Sequence, residues 1–217
     1  MIVCGVDEAG RGPVFGPLVL CGLCGNEDNL RNLGVKDSKL LSPSKREKLF
    51  DKIIGVAHSY KIEMIMPEQI DSLRTSLTLN EIEAIYFAKV IDSLDQYYFI
   101  VDAADVNEER FAETILKYVS RNIKIVSKHK ADRDYPAVSA ASIIAKVTRD
   151  REIEKIKKIL GDFGSGYPSD PKTIKFLKDF YRKNGKLPPY VRRSWATLKN
   201  LYTLDNYSKG DKNEGTV

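Results

Sequence analysis

The amino-acid sequence predicts an α/β fold: a mixed five-stranded sheet flanked by helices, followed by a small C-terminal helical subdomain. Apolar runs dominate the first part of the chain, strand and helix patterns then alternate to about residue 160, and a turn-rich, basic stretch follows. The 217 residues suit one domain with a small appendage. A hydrophobic content of 42% and a charged content of 30% are typical of a globular protein.

Five strands are predicted from apolar or alternating runs that stop at turn residues. They are residues 1–7, 17–25, 60–66, 97–103 and 123–128. The short connection between the first two favours antiparallel neighbours, because a parallel return needs about a dozen residues or more. Helical patterns separate the last two strands, so we expect these strands to run parallel to the first, joined by crossover helices.

Helices are predicted where apolar residues recur at helical spacing, over residues 40–54, 78–94, 108–121 and 136–160. Ser42 followed by Pro43 is a typical helix start, and Asn80 with Glu83 three residues later has the spacing of a capping box. The stretch Ser139-Ala140-Ala141-Ser142 gives the last of these helices a face small enough to pack closely on a sheet.

The C-terminal part predicts two more helices, both basic, in "KTIKFLKDFYRKNGKLPPYVRRSWATLKNLY", divided by its paired prolines. The polar end of the chain has the composition of a disordered tail. We therefore expect a catalytic domain at 1–160, a helical substrate-binding subdomain at 161–206 and a disordered tail at 207–217.

Composition narrows the class of protein further. The N-terminal apolar run is too short for a signal peptide, and no stretch approaches the roughly 20 apolar residues of a membrane span, so a cytoplasmic protein is expected. A net charge of +5 makes nucleic acid a plausible partner. Cys21-x-x-Cys24 lacks a second pair of zinc ligands, so we expect these cysteines and Cys4 to be apolar strand residues in a reducing compartment.

Acidic residues cluster after the predicted strands. Asp7 and Asp102 end apolar strands, Glu8 adjoins Asp7, and the fifth strand runs toward Asp132. Sites in α/β sheets form at the carboxyl ends of strands, so these four carboxylates are expected to converge. Oxygen-only ligands favour Mg²⁺ or Mn²⁺ over zinc, and two such ions about 3.5–4 Å apart form a clamp for displacement at phosphorus.

A structural interpretation stands beside the catalytic one for each acid, because a single Asp at a strand end is usually a turn residue or a helix cap. Asp105 is interpreted in this way, as the cap of a helix that begins near Asn107. From composition alone, a catalytic and a structural role both remain open for the four clustered acids.

A short loop, Gly10-Arg11-Gly12, directly follows the paired acids. Its glycines permit unusual backbone dihedrals and close approach to a ligand, such as a phosphate or the 2′-OH of a ribose. A tight turn with a solvated arginine is the alternative. Tyr167 in "GSGYPSDP" either stacks on a base or sugar or anchors the two subdomains, and the residues alone favour the anchor.

Basic residues could line a surface for a nucleic-acid backbone, although each one taken alone is more often a solvated charge. The candidates are Lys36, Lys39, Lys128, Lys130, Lys146, Arg149, Arg192 and Arg193.

Five stretches together resemble ribonuclease HII, the type 2 ribonuclease H, in its archaeal form. They are "VDEAGRGPVFGP", "KDSK", "VDA", "KADRDYPAVSAASIIAKVTRDR" and "GSGYPSDP", in order over roughly residues 1 to 200. The resemblance implies a ribonuclease H-like fold and a monomer that hydrolyses the RNA strand of RNA/DNA hybrids. It also implies incision 5′ of single ribonucleotides embedded in duplex DNA, in ribonucleotide excision repair and DNA replication.

The resemblance assigns roles residue by residue. Catalysis and the binding of two Mg²⁺ or Mn²⁺ ions fall on Asp7, Glu8, Asp102 and Asp132. The family's reading of the 2′-OH and the scissile phosphate falls on Gly10, Arg11 and Gly12, and its stacking on deoxyribose falls on Tyr167, which reverses the anchor interpretation. Lys39, Arg46 and Lys146 lie in motif surroundings that suggest phosphate contacts.

One departure concerns a partner. Archaeal relatives often end in a sliding-clamp peptide of the form Gln-x-x-Leu-x-x-aromatic-aromatic. The corresponding "LYTLDNYS" keeps Leu204 and Tyr207, but it has Leu201 in place of the glutamine and Ser208 in place of the last aromatic. The missing anchors predict that the sliding clamp is a weak partner or none.

Three rival functions fit fewer features. A non-catalytic nucleic-acid binder leaves four acids facing a polyanion unexplained, and a branched-DNA resolvase leaves a 2′-OH-reading loop unexplained. The type 3 ribonuclease H usually carries an extra N-terminal domain, whereas here the predicted active-site strand begins at Met1.

Overall fold

Five strands and eight helices form over the residues that the structure, a computed structural model, describes: 1–35 and 41–198. The strands are β1 (Ile2–Ala9), β2 (Leu18–Asn26), β3 (Ala57–Ile65), β4 (Tyr98–Asp102) and β5 (Lys124–Lys128). The helices are α1 (Glu27–Asn32), α2 (Pro43–Val56), α3 (Pro67–Leu73), α4 (Leu79–Asp92), α5 (Glu108–Leu116), α6 (Ala131–Asp134), α7 (Pro136–Leu160) and α8 (Pro171–Asn184).

The sheet has the strand order β3-β2-β1-β4-β5. β1 pairs antiparallel with β2, and β2 with β3, while β1 with β4 and β4 with β5 are parallel. The predicted mixed five-stranded sheet is therefore confirmed. Because Val6 of β1 is in register with Val101 of β4, the residues that follow them, Asp7 and Asp102, lie beside each other at the carboxyl edge of these parallel strands.

Two helical layers cover the sheet. α7 packs on one face together with α1 and α2, and α3, α4 and α5 pack on the other. The predicted small-residue face of α7 lets it approach β1 closely: a Cβ atom on Gly5 would lie 2.2 Å from the backbone nitrogen of Val138. A side chain at residue 5 would therefore push α7 away from the strand that carries Asp7.

The C-terminal residues pack against the loop that joins β1 to β2. Phe15 of this loop stacks on Phe163 with ring centroids 4.2 Å apart, in an apolar cluster with Ile153 of α7 and Leu177 of α8. Gly16 N also donates to the Tyr190 carbonyl, at 2.9 Å. These contacts fix the loop between the sheet and the C-terminal residues. The domain boundaries at residues 160 and 206 stay a prediction.

Two predicted helix caps are wrong. α4 is capped by Thr78, whose side chain accepts from the backbone of Glu81 while the Glu81 carboxylate accepts from Thr78 N. The capping box therefore lies two residues earlier than predicted, at Thr78 and Glu81. Asn107 rather than Asp105 caps α5, which ends at Leu116 instead of residue 121. The caps of α2 (Ser42, with Pro43 following) are as predicted.

The cysteines also differ from expectation. Cys4 and Cys24 face each other across β1 and β2 and form a disulfide, so the prediction of reduced strand cysteines is wrong for this pair. Cys21 is free and buried on the opposite face of β2, where burial raises the pKa of its thiol. No helix in the described part of the chain has the length and apolar character to span a membrane. The cytoplasmic location stays a prediction.

Candidate active site

Four carboxylates line one cavity of about 220 Å³ at the carboxyl edge of the sheet. Asp7 and Glu8 come from the end of β1, Asp102 from the end of β4, and Asp132 from α6. The cavity is also lined by Gly10, Arg11, Gly12, Ser142, Lys146, Arg149 and Tyr167. The fold thus gathers the four predicted acids with the loop and the tyrosine that the sequence analysis singled out.

Asp132 reaches the cavity by a route that the strand pattern does not show. β5 ends at Lys128, and Asp132 lies in the one-turn helix α6, where it is almost fully buried. The turn into α6 places Lys130 at a φ of 57°, and Ala131 N donates to Asp102 Oδ1 at 2.7 Å. Asp102 therefore helps to fix α6, the helix that carries Asp132.

The acids repel one another in a poorly solvated setting. Burial, with Glu8 and Asp102 adding charge repulsion, raises the pKa of Asp7 well above its usual range. Burial and the charge of Asp102 raise the pKa of Glu8 to about 7. Glu8 N donates to Asp7 Oδ1 at 2.7 Å, whereas Glu8 Oε2 is buried and receives no hydrogen bond from a described residue. The cluster holds more negative charge than the surrounding protein satisfies.

Arg11 is partly exposed, and its guanidinium belongs to a polar network. It forms an ion pair with the fully buried Glu83 of α4 and donates to Asn80 Oδ1 at 2.7 Å. Asn80 in turn donates to Asp105 Oδ2 at 2.9 Å, and Asp105 binds the guanidinium of Arg110. The alternative of a solvated arginine is wrong. Asn80 and Glu83 are the residues that the sequence analysis interpreted as a capping box. Their spacing of three residues was the one available signal that both side chains lie on the same face of α4.

Tyr167 has an anchored backbone and a partly exposed side chain. Its peptide is held between the loop and α8, because the neighbouring Gly166 accepts from Val14 N at 2.8 Å and donates to Thr173 at 3.0 Å. Its ring is 38% exposed, and the Arg149 guanidinium lies 5.7 Å from the ring centroid. The backbone of this turn is anchored, and the ring remains accessible on the cavity wall beside Gly12.

A second, larger groove of about 840 Å³ adjoins the acidic cavity and shares Lys146, Arg149 and Tyr167 with it. Basic side chains dominate its lining over Glu47, Asp150 and Glu154. They are Arg46, Lys146, Arg149, Arg151, Lys155, Lys157 and Lys158. Several of these come from the second half of α7, from which the sequence analysis had named only Arg149 as a candidate.

The remaining basic candidates have varied positions. Arg46 is buried at the groove, where it donates to the Leu41 carbonyl and to Asp150. Lys128 pairs with Glu108. Arg192 is not a surface residue: it is fully buried, and its guanidinium donates to backbone carbonyls of the Gly10-Arg11-Gly12 loop. Lys36, Lys39 and the clamp-like stretch 201–208 lie outside the described residues.

A β3-β2-β1-β4-β5 sheet with carboxylates at the ends of its two central parallel strands, beside a basic groove, defines an α/β nuclease with a ribonuclease H-like fold. The comparisons with known proteins agree. The family model for Ribonuclease HII matches residues 4–198.

Relatives match over almost the whole chain. Ribonuclease HII of Pyrococcus abyssi is 50% identical over 98% of this chain and 100% of its own length. The crystal structure of ribonuclease H2 from Pyrococcus horikoshii is 47% identical with a TM-score of 0.88, covering 95% of this chain and 99% of that one. Ribonuclease HII in the PCNA complex from Archaeoglobus fulgidus is 43% identical with a TM-score of 0.83, covering 90% and 95%.

The chain belongs to the ribonuclease HII family. It is an endoribonuclease, a phosphodiester hydrolase, and membership of the family implies cleavage of the RNA strand of RNA/DNA hybrids.

Proposed function

We propose that this chain incises duplex DNA on the 5′ side of single embedded ribonucleotides, in addition to cutting the RNA of hybrids. The reaction is an in-line attack on the scissile phosphate that leaves a 5′-phosphate and a 3′-hydroxyl. The observation that carries the proposal is the continuity of three features: a basic groove, a glycine-rich loop with an accessible tyrosine, and a cavity of four acids. A bound duplex would lie along the basic groove and place one nucleotide at the glycine-rich loop and the acidic cavity.

The acids suit divalent cations by the chemistry of the donor set. Asp7, Glu8, Asp102 and Asp132 offer only oxygen ligands, which Mg²⁺ and Mn²⁺ prefer, and their mutual repulsion is relieved by positive charge. Among the described residues, no three His, Cys, Asp or Glu side chains already surround one point at coordinating distance. Mg²⁺ usually binds through one or two carboxylates and keeps several waters, and the buried Glu8 Oε2, which receives no hydrogen bond from a described residue, is one oxygen available to it.

When bound, two Mg²⁺ or Mn²⁺ ions activate a water and stabilise the leaving 3′-oxygen. The protein groups orient the substrate for this step. Lys146 and Arg149, where the groove meets the cavity, are placed to bind phosphates, and the Tyr167 ring is placed to stack on the deoxyribose beside the ribonucleotide. The Gly10-Arg11-Gly12 loop supplies backbone N–H groups for the 2′-OH and the phosphate. Arg46 lines the groove and adds a contact to the nucleic-acid backbone. The phosphate contact proposed for Lys39 rests on the family resemblance alone.

The discriminating experiment compares three duplexes of one sequence: all DNA, DNA with one embedded ribonucleotide, and an RNA/DNA hybrid. Each is incubated with the protein in Mg²⁺ or Mn²⁺, and the ends are mapped. We expect a single cut on the 5′ side of the embedded ribonucleotide, cuts throughout the RNA of the hybrid, and none in all-DNA duplex. Cutting of the hybrid without cutting at the single ribonucleotide would refute the proposal and indicate type 1 or type 3 specificity.

The same substrates separate the rival functions. A resolvase would cut a branched all-DNA junction, and a non-catalytic binder would retain all three duplexes without cutting any. Clamp binding is a further proposal, supported by the Archaeoglobus fulgidus protein, whose structure is a PCNA complex. Because residues 201–208 lack two anchors, we expect only weak binding of a sliding clamp. Titration of the full chain against a chain ending at residue 200 would measure it, and tight binding by both would place the contact elsewhere.

A further inference from the structure

Arg192 is the largest side chain that the structure buries completely, and it neutralises no acid. Its Nε donates to the Gly16 carbonyl at 2.9 Å, Nη1 to the Arg11 carbonyl at 3.0 Å and Nη2 to the Gly10 carbonyl at 2.6 Å. Within the described ranges, no carboxylate lies at ion-pair distance from it. All three of these guanidinium hydrogen bonds are therefore made to the backbone of the loop between β1 and β2.

The neighbours of Arg192 act on the same loop. Trp195 donates from its indole nitrogen to the Gly12 carbonyl at 3.2 Å, and its ring lies 4.9 Å from the Arg192 guanidinium. The C-terminal segment thus binds the carbonyls of all three residues of the Gly10-Arg11-Gly12 loop.

This segment is itself rigidly held by α3. The Asp71 carboxylate accepts hydrogen bonds from the backbone nitrogens of Arg193 and Ser194, at 2.8 and 2.9 Å, and from the Ser194 hydroxyl at 2.7 Å. Arg192 N also donates to the Val14 carbonyl at 2.9 Å. The Arg192 guanidinium therefore has a fixed position relative to the sheet, and its hydrogen bonds can fix the conformation of the Gly10-Arg11-Gly12 loop.

Binding the carbonyls on one side orients the amides on the other. A trans peptide unit is planar, with its C=O and N–H on opposite sides. The Gly10 carbonyl shares a unit with Arg11 N–H, and the Arg11 carbonyl shares the next unit with Gly12 N–H. Both N–H groups therefore point away from Arg192, and no described residue accepts a hydrogen bond from either. Since the loop lines the acidic cavity, these donors are available to a ligand there.

The chemistry explains why an arginine stands at this position. The loop begins with Gly10 at a φ of 90°. Glycine adopts this conformation readily but does not favour it over others, so other contacts must fix the backbone. Arginine presents donors in a rigid planar fork that can bridge three carbonyls, whereas lysine offers a point charge on a flexible chain. An apolar residue would leave the buried carbonyls unpaired.

We propose that Arg192 is the positioning residue of the Gly10-Arg11-Gly12 loop: it fixes the N–H groups of Arg11 and Gly12 as donors for the ribose, and so sets the preference for ribonucleotide over deoxyribonucleotide. This inference rests on the proposed function, because it names the residue on which the ribose reading depends. Arg192 touches no substrate and acts through the loop.

The test measures discrimination rather than activity alone. The discrimination ratio is the Ki of an all-DNA competitor duplex divided by the KM of the same duplex with one ribonucleotide, both in Mg²⁺. We expect Arg192→Ala to lower this ratio about tenfold and Trp195→Phe, which loses only the Gly12 contact, to lower it about threefold. Millimolar guanidinium ion should restore the ratio of Arg192→Ala, and methylammonium should not, because only the fork bridges the carbonyls.

The matched control is Leu177→Ala, which removes a fully buried side chain from the same C-terminal cluster without touching the loop carbonyls. It should lower the melting temperature and leave the ratio unchanged. An unchanged ratio in Arg192→Ala, or an equal fall in Leu177→Ala, would overturn the inference. If Arg192→Ala does not fold, Arg192→Lys and Trp195→Phe decide it by the same ratio. Failure of the wild-type protein to incise at the ribonucleotide would instead refute the proposed function.

Discussion

The acidic cavity lies beside the charged network of the Gly10-Arg11-Gly12 loop, which consists of Arg11, Glu83 and Arg192. The two regions differ in how their buried charges are compensated. In the cavity, burial and the repulsion between neighbouring carboxylates raise the pKa values of Asp7 and Glu8. Under the loop, the buried Glu83 is paired with Arg11, and Arg192 is surrounded by carbonyl oxygens. The first region gathers carboxylates that a bound cation would neutralise, whereas in the second each charge already faces an opposite charge or a carbonyl of the protein.

The comparison separates residues that act from residues that position. Unsatisfied charge costs folding free energy and is retained where a ligand relieves it. Satisfied buried charge fixes geometry but offers nothing to a ligand. Substitutions in the cavity should therefore change activity most, and substitutions in the network should change stability most.

The largest effect is expected from Asp7→Asn. Because this buried acid lies on the central strand with the other three carboxylates around it, its loss should lower cleavage of a hybrid by roughly 10³-fold, the scale of the several kcal/mol that bound metal ions supply. Binding of the hybrid, measured by fluorescence anisotropy, should be unchanged or tighter, since a charge opposing the polyanion is removed. The exposed Asp95→Asn is the control. Normal cleavage by Asp7→Asn in Mg²⁺ would show that the acid assignment is wrong.

The next effect is on stability and belongs to the network. Arg11→Met leaves the fully buried Glu83 without its cation and should lower the free energy of unfolding by about 3 kcal/mol. Adding Glu83→Met should recover most of this loss, because an apolar pair replaces an ion pair of similar volume. Urea denaturation at pH 7 measures both. Equal destabilisation in the single and double variants would mean that Arg11 stabilises the fold through contacts other than this pair.

A smaller, opposite effect is expected from Glu8→Gln in the metal-free protein. Burial raises the pKa of Glu8 from 4.5 to about 7, so the folded state binds this proton more tightly than the unfolded state. Ionised Glu8 thus opposes folding above about pH 7, and this penalty disappears below about pH 4.5. In EDTA at pH 8, Glu8→Gln should be more stable than wild type by about 2 kcal/mol, with no difference at pH 4.

The control for this prediction is the exposed Glu113→Gln, which should show no such pH dependence. Added Mg²⁺ or Mn²⁺ should stabilise wild type more than Glu8→Gln, which reverses the order. A Glu8→Gln protein less stable than wild type at pH 8 in EDTA would mean that the cavity satisfies this carboxylate after all.

The smallest effect is expected at Tyr167, between the two regions. Stacking on a nucleotide contributes about 1–3 kcal/mol, so Tyr167→Ala should lower kcat/KM on the embedded ribonucleotide about tenfold. Tyr167→Phe keeps the ring and should lose little. Melting temperatures should hardly change, because the ring is 38% exposed while the backbone of its turn is held by other residues. A fall in melting temperature with normal activity would restore the anchor interpretation.

Local patterns predicted much of the sheet. Each of the five strands lies within three residues of its predicted position, because apolar runs bounded by turn residues reflect burial directly. Helix α7 was predicted with its full bounds. The caps of α4 and α5 were not, because Asn80 and Asp105 are good capping residues that tertiary contacts use elsewhere. The short helices α1, α3 and α6 were missed because one or two turns carry too little periodicity.

By itself, the sequence determined the mixed sheet and placed Asp7 and Asp102 near the carboxyl ends of two strands, because strand periodicity is a local property. Its motifs determined the ribonuclease HII resemblance, since they are long and keep their order. Only the tertiary structure decided that Arg11 pairs with a helix 69 residues away and that Arg192 holds a loop 182 residues before it. A lone basic residue has the same local pattern whether it is solvated, paired or buried among carbonyls, and the packing of distant segments makes that choice.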